Sequence, residues 1–194
     1  MSSKEKKCGV DLGLSDAEKK ELLSVARAAI ECRVQGKPLA ECDPSTEKLK
    51  EMRGAFVSLH KKGMLRGCIG TLEPQSPLWK CVEDMAQAAA FRDPRFRPVT
   101  EDELPHLDVE ISVLTPFTEV EDVEDIQVGL HGLLIRRGHQ GGLLLPQVAA
   151  ERNWDRTTFL QETCRKAGLP MDAWKDKDTR IYLFSADVFP EHED

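Results

Sequence analysis

Gly54-Ala-Phe-Val-Ser-Leu-His60-Lys-Lys-Gly63-Met-Leu-Arg66-Gly-Cys68-Ile-Gly-Thr71 contains two β-forming runs, Gly54 to His60 and Met64 to Thr71, separated by Lys61-Lys62-Gly63. The sequence predicts a hairpin closed by three residues, a type I turn followed by glycine in the left-handed region, which pairs His60 with Met64. Phe56 then lies opposite Cys68 and Ser58 opposite Arg66, so Ser58, His60, Arg66 and Cys68 share one face. The other face carries Ala55, Val57, Leu59, Leu65 and Ile69 and is the expected core. A two-residue loop would scatter polar and apolar side chains over both faces.

Outward from the hairpin, Ser15 and Glu18 form a capping box ahead of Leu22, Val25, Ala26, Ala29 and Ile30 at helical spacing, which predicts a first helix. Pro74 and Pro77 introduce a second, with Leu78, Val82, Met85, Ala86 and Ala89 on one face, broken at Asp93-Pro94. Thr100 and Glu103 cap a short turn. Leu107, Val109, Ile111 and Val113 then alternate with Asp108, Glu110 and Ser112 as a half-buried strand. Residues 118 to 125 are acidic and expected to be exposed. Short strands are expected at 132 to 137 and 141 to 145, helix from Pro146 and again after Asp155, and a last strand from Arg180 to Val188. Hairpins without a βαβ repeat indicate an α+β fold, an antiparallel or mixed sheet flanked by helices. We expect one domain over 15–189, a flexible segment 1–14 and an acidic tail 190–194.

The 194 residues carry 34 acidic and 27 basic side chains, a net charge of −7, which opposes non-specific attraction to nucleic acid. Every apolar stretch is far shorter than the roughly 20 residues of a membrane span. The charged start, Met1-Ser-Ser-Lys-Glu-Lys-Lys7, precedes no apolar signal core, so a cytoplasmic protein with reduced cysteines is expected. The six cysteines include no C-x-x-C, and no two histidines have zinc-finger spacing, so metal ligands would have to converge from distant segments. Nucleotide-binding glycine motifs, a radical SAM cysteine triad and a serine-hydrolase elbow are all absent.

Within the hairpin, Cys68 is the candidate nucleophile or ligand, because a nearby cation such as Arg66 favours the reactive thiolate. The competing reading makes Cys68 a small buried hydrophobe and Arg66 an ordinary surface charge. His60 is a candidate general base or a partly exposed polar residue, and His131 is a second candidate base. Gly67 and Gly70 imply that a backbone or a ligand approaches the strand closely. Arg92, Asp93, Arg95 and Arg97 follow an apolar helix. The arginines there can hold a small anionic ligand, or Asp93 pairs with Arg95 or Arg97 to fix the loop.

Arg53-Gly-Ala-Phe-Val57, Leu65-Arg-Gly-Cys-Ile-Gly-Thr71, Ala90-Phe-Arg-Asp-Pro-Arg-Phe96 and Leu145-Pro-Gln-Val148 together resemble the AMMECR family, with a match over roughly residues 17 to 189. The resemblance implies a larger and a smaller lobe, with the Leu65–Gly70 cysteine motif beside a cleft between them. It supplies no reaction and no cofactor. Prokaryotic members resemble protein A of the AmmeMemoRadiSam gene neighbourhood, which implies Memo-like and radical SAM proteins as partners. The family's signature positions correspond here to Arg66, Gly67, Cys68, Gly70, Arg92, Asp93, Arg95 and Phe96. Two classes of function follow: an enzyme or enzyme component that binds a small anion at the cleft, or a non-catalytic adaptor for those partners.

Overall fold

A computed structural model describes residues 11–40 and 43–192. Cys8, Cys42, most of the segment 1–14 and the last two residues of the tail lie outside them. The chain forms two compact units, one of Gly13–Leu114 with the segment from Asp187, the other of Thr115–Ala186.

In the first unit, helix α1 (Asp16–Val34) begins at the expected capping box: the Ser15 N–H donates to Glu18 Oε2 at 2.7 Å, and the Glu18 N–H to Ser15 Oγ at 3.3 Å. Strands β1 (Ala55–Lys61) and β2 (Met64–Thr71) form the hairpin, and α2 (Leu78–Phe91) packs across both. A 3-10 turn at Glu101–His106 leads into β3 (Leu107–Leu114). With β8 (Ala186–Pro190) these strands make a sheet in the order β2-β1-β3-β8, which leaves β2 at an edge. Ala55, Val57 and Leu59 on β1 and Val109, Ile111 and Val113 on β3 have no solvent exposure and form the core face of the sheet.

The second unit holds β4 (Thr118–Glu119), β5 (Gly132–Arg137), β6 (Gln140–Leu144), α3 (Pro146–Glu151), α4 (Arg156–Lys166) and β7 (Arg180–Phe184). Its sheet runs β4-β7-β5-β6, and its core gathers Ile126, Leu133, Ile135, Phe159, Leu160 and Ile181. The β1–β2, β1–β3, β4–β7, β5–β6 and β5–β7 pairings are all antiparallel. No helix among the described residues is long and apolar enough to cross a membrane.

The structure corrects two expectations. The last strand is two strands in different sheets, joined at Ser185. There the chain changes sheets without glycine or proline because buried Ser185 is held by hydrogen bonds. Its N–H donates to Thr115 Oγ1 at 2.8 Å, its carbonyl accepts the Thr115 N–H at 2.9 Å, and its hydroxyl donates to the Leu130 carbonyl at 3.0 Å.

The hairpin register also differs. Lys61 pairs with Met64 across a two-residue turn whose central residues, Lys62 and Gly63, have φ of 53° and 73°, the mirror-image turn that matches strand twist. A bulge then lets Arg66 slip, so that His60 faces Leu65, Leu59 faces Gly67 and Ser58 faces Cys68. The extra residue restores the alternation that a two-residue loop alone would have lost. Leu65 leaves the expected core face and is 41% exposed.

Candidate functional site

The pairing of Ser58 with Cys68 fixes what the polar face of the hairpin presents. Both backbone polar groups of Cys68 point away from β1, so the two residues form a non-hydrogen-bonded pair, whose side chains approach closely. The Ser58 hydroxyl accordingly donates to Cys68 Sγ at 3.2 Å. On the next strand Glu110 lies opposite Ser58, and Asp108 opposite His60. Cys68, Ser58 and Glu110 therefore form one cross-strand row, with His60 on the same face two residues from Ser58. Cys68, Ser58, His60 and Glu110 are all half-buried.

As an edge residue Cys68 would leave an N–H and a C=O unpaired, the usual weakness of an exposed strand. A side-chain ion pair takes the place of the missing strand. Asp93 Oδ2 accepts the Cys68 N–H at 2.9 Å, and Arg95 Nη2 donates to the Cys68 carbonyl at 3.3 Å. Arg95 also grips Asp93 at both oxygens, Nε to Oδ1 at 2.9 Å and Nη2 to Oδ2 at 2.7 Å, and its own N–H reaches Oδ1 at 3.1 Å. The Asp93 side chain is 1% exposed, against 54% for Arg95. Hydrogen bonding from Arg95 outweighs the burial and holds the Asp93 carboxyl well below the usual carboxylate range. Of the two uses of the Arg92–Arg97 loop left open by the sequence, the pairing of Asp93 with Arg95 is the one observed.

Arg66 is committed elsewhere. Its Nε and Nη2 bind the two oxygens of Glu103 at 3.0 and 2.8 Å, Lys61 joins the same carboxylate at 2.8 Å, and Arg66 Nη2 donates to the Arg97 carbonyl at 2.9 Å. The Arg66 and Arg95 guanidinium carbons lie 5.9 and 5.4 Å from the centroid of the Phe96 ring. The cation tied to Cys68 in the structure is thus Arg95. These bonds, led by those from Arg66, lower the Glu103 carboxyl to about 2. A carboxylate lowered in the folded state stabilises above its unfolded pKa of about 4.3, and that stabilisation disappears as the pH falls toward 2. Glu103→Gln is therefore expected to cost on the order of 2 kcal/mol at pH 7 and almost nothing at pH 2, as read from urea denaturation at the two pH values.

The glycines of the motif have packing reasons. A Cβ on Gly67 would stand 2.3 Å from the Ala89 carbonyl oxygen of α2, and one on Gly70 would stand 2.2 Å from the Phe56 ring. Arg92 caps the C-terminus of α2, its N–H bonded to the Ala88 carbonyl at 2.8 Å, with its side chain exposed. His131 belongs to the other unit, where its Nδ1 accepts the Gln127 N–H at 3.1 Å and burial lowers its pKa below the ordinary imidazole value. Among the other described cysteines, Cys81 and Cys164 are buried in apolar surroundings, which pushes Cys81 up to about 11 and raises Cys164 too. Among the described residues no three His, Cys, Asp or Glu side chains converge as metal ligands. A cavity of about 640 Å³, whose lining includes Arg27, Glu31, Asp108 and Glu191, does not include Cys68.

A sequence model of the AMMECR1 family matches residues 23–189. This chain belongs to the AMMECR1 family. A protein of Methanothermobacter thermautotrophicus is 49% identical over 188 residues, covering 93% of this chain and 97% of that one. A protein of Aquifex aeolicus is 42% identical, covering 90% and 93%. The crystal structure of the uncharacterised protein PH0010 from Pyrococcus horikoshii matches with a TM-score of 0.85 at 41% identity, covering 92% of this chain and 94% of that one. The names of these relatives state no activity. The family assignment thus agrees with the α+β fold and leaves the chemistry to be argued from the site.

Ser58, Glu103 and Glu110 are the site residues that the sequence reading did not single out. The tandem Lys62-Gly63 was the available signal for the two-residue turn, but the pairing of Ser58 with Cys68 also needs the bulge at Arg66. Glu103 lies 37 positions from Arg66 and had been assigned only to its local cap.

Proposed function

We propose that this AMMECR1-family protein is a cytoplasmic enzyme or enzyme component whose reacting group is the Cys68 thiol, with a small anionic ligand held beside it. The observation that carries this reading is the pair of buried Asp93 with Arg95, which grips both backbone groups of one half-buried cysteine. Removing a carboxylate from water costs several kcal/mol, and a packing cysteine does not require that expense. Pre-organisation of a reacting group does. The Ser58 hydroxyl donates to Sγ and orients the sulfur, which as a thiolate is a nucleophile or a soft ligand. His60, on the same face, is the candidate base. Arg92, exposed at the end of α2, is the candidate anion holder, since Arg66 is paired with Glu103 and Arg95 with Asp93.

Limiting iodoacetamide at pH 8 followed by peptide mapping tests this reading. We expect alkylation at Cys68 well before Cys81 and Cys164, and a rate reduced about 3- to 10-fold in Ser58→Ala, the loss of the hydrogen bond that orients the sulfur. Equal protection of all three thiols would remove the reading. A second reading, an adaptor for Memo-like or radical SAM partners of an AmmeMemoRadiSam system, is supported by the exposed hairpin tip, where Met64 is 71% exposed.

A further inference from the structure

The tip of the β1–β2 hairpin combines features that packing does not explain. Met64 and Leu65 are consecutive, apolar and exposed, whereas large apolar side chains on a folded surface are ordinarily scattered singly. From Gly54 to Leu72 there is no acidic residue, in a chain whose net charge is −7. Lys61, Lys62 and Arg66 lie here, Arg66 reaches the Arg97 backbone carbonyl, and among the described residues the carboxylate that pairs with Lys61 and Arg66 is that of Glu103. Lys62 and Arg97 are exposed. Lys62 occupies the apex with φ 53°, a left-handed conformation that suits asparagine or aspartate and strains lysine. Strain of this kind persists where it serves a function. Here it keeps a cation at the apex where a better turn residue would not.

We propose that this tip is a docking surface for an acidic protein segment bearing apolar side chains. Met64 and Leu65 beside a depression of about 170 Å³ take the apolar groups, and Lys62 and Arg97 take the carboxylates. A nucleic acid fits less well. The ring that could stack on a base, Phe96, is already covered by Arg66 and Arg95, and a net charge of −7 opposes the phosphate backbone.

The test uses fluorescence anisotropy of labelled peptides with the full chain at low salt: a Glu/Leu peptide, Glu/Ser and Lys/Leu peptides of equal length, and an oligo-dT strand. Co-flotation with phosphatidylserine vesicles forms a further arm. The Glu/Leu peptide is expected to bind at least about fivefold more tightly than the other probes, and more weakly as salt rises. Lys62→Asp should weaken it about fivefold while keeping the fold, because Asp-Gly suits this turn. Met64→Ser should weaken it similarly, and Cys68→Ser should leave it unchanged, which separates this surface from the thiol site. No binding, tighter binding to oligo-dT or to vesicles, or wild-type affinity in both tip variants would overturn the proposal.

Discussion

Gly67→Ala is expected to lower stability by about 3 kcal/mol and Tm by roughly 6–12 °C, the largest effect of any single methyl group in the motif. Its Cβ would stand 2.3 Å from the Ala89 carbonyl oxygen and 3.1 Å from the Ala89 carbonyl carbon, and both atoms are helix backbone. A flexible side chain could swing aside, but the helix backbone in the last turn of α2 can move only by lifting off the sheet. Gly67 has no positive φ, so the cost is steric rather than conformational. Gly141→Ala is the control, since the nearest atoms to its Cβ lie at 3.6 Å. It should change stability by less than about 0.5 kcal/mol. Urea denaturation of both variants checks the pair, and a cost below about 1 kcal/mol for Gly67→Ala would show that α2 does not bear on β2 as described.

Asp93→Ala removes four hydrogen bonds at once, two from the Arg95 guanidinium, one from the Arg95 N–H and one from the Cys68 N–H. Breaking a fully buried pair costs roughly 3–5 kcal/mol, but Arg95 is half exposed and can rehydrate, so about 2–3 kcal/mol is expected at pH 7. The sign of the pH dependence follows from the lowered Asp93 carboxyl. Its stabilisation is complete above the unfolded pKa of about 3.9 and fades as the pH falls toward the folded value, so wild type and variant converge in acid. The local signature is sharper. The Cys68 amide loses its acceptor, so its hydrogen exchange should accelerate far more than that of amides within the β1–β3 ladder. Uniform acceleration across the sheet would mean that Asp93 stabilises the unit generally and does not hold Cys68 in particular.

Much of this architecture was legible in the residues. The Ser15–Glu18 capping box, the apolar stripe of the second helix and the alternation from Leu107 to Val113 each obey a local rule, and each element forms where that rule puts it. Ser58, His60 and Cys68 were placed on one face because strand parity survives a loop shortened by one residue and a bulge that adds one. The register itself was not legible. The bulge at Arg66 is announced only by Gly67, which the close approach of α2 explains equally well, and it decides that Ser58, and not Phe56, meets Cys68. The change of sheet at Ser185 was hidden because the run from Arg180 to Val188 contains no glycine or proline to break it. Sequence separation concealed the partner of Arg66, and the Asp93–Arg95 pair was readable only as one of two uses for the same loop.

The account stands on Cys68 being a reactive thiol held ready by its surroundings. The direct measurement is the iodoacetamide rate of a chain whose other five cysteines are serine, compared at one pH between the native and the urea-unfolded protein, where the thiol is free. Although half-buried, Cys68 is predicted to react several-fold faster in the native state, because Ser58 orients the sulfur and the Asp93–Arg95 pair holds its backbone in place. A native rate below the unfolded one would make Cys68 a packing residue and contradict the account.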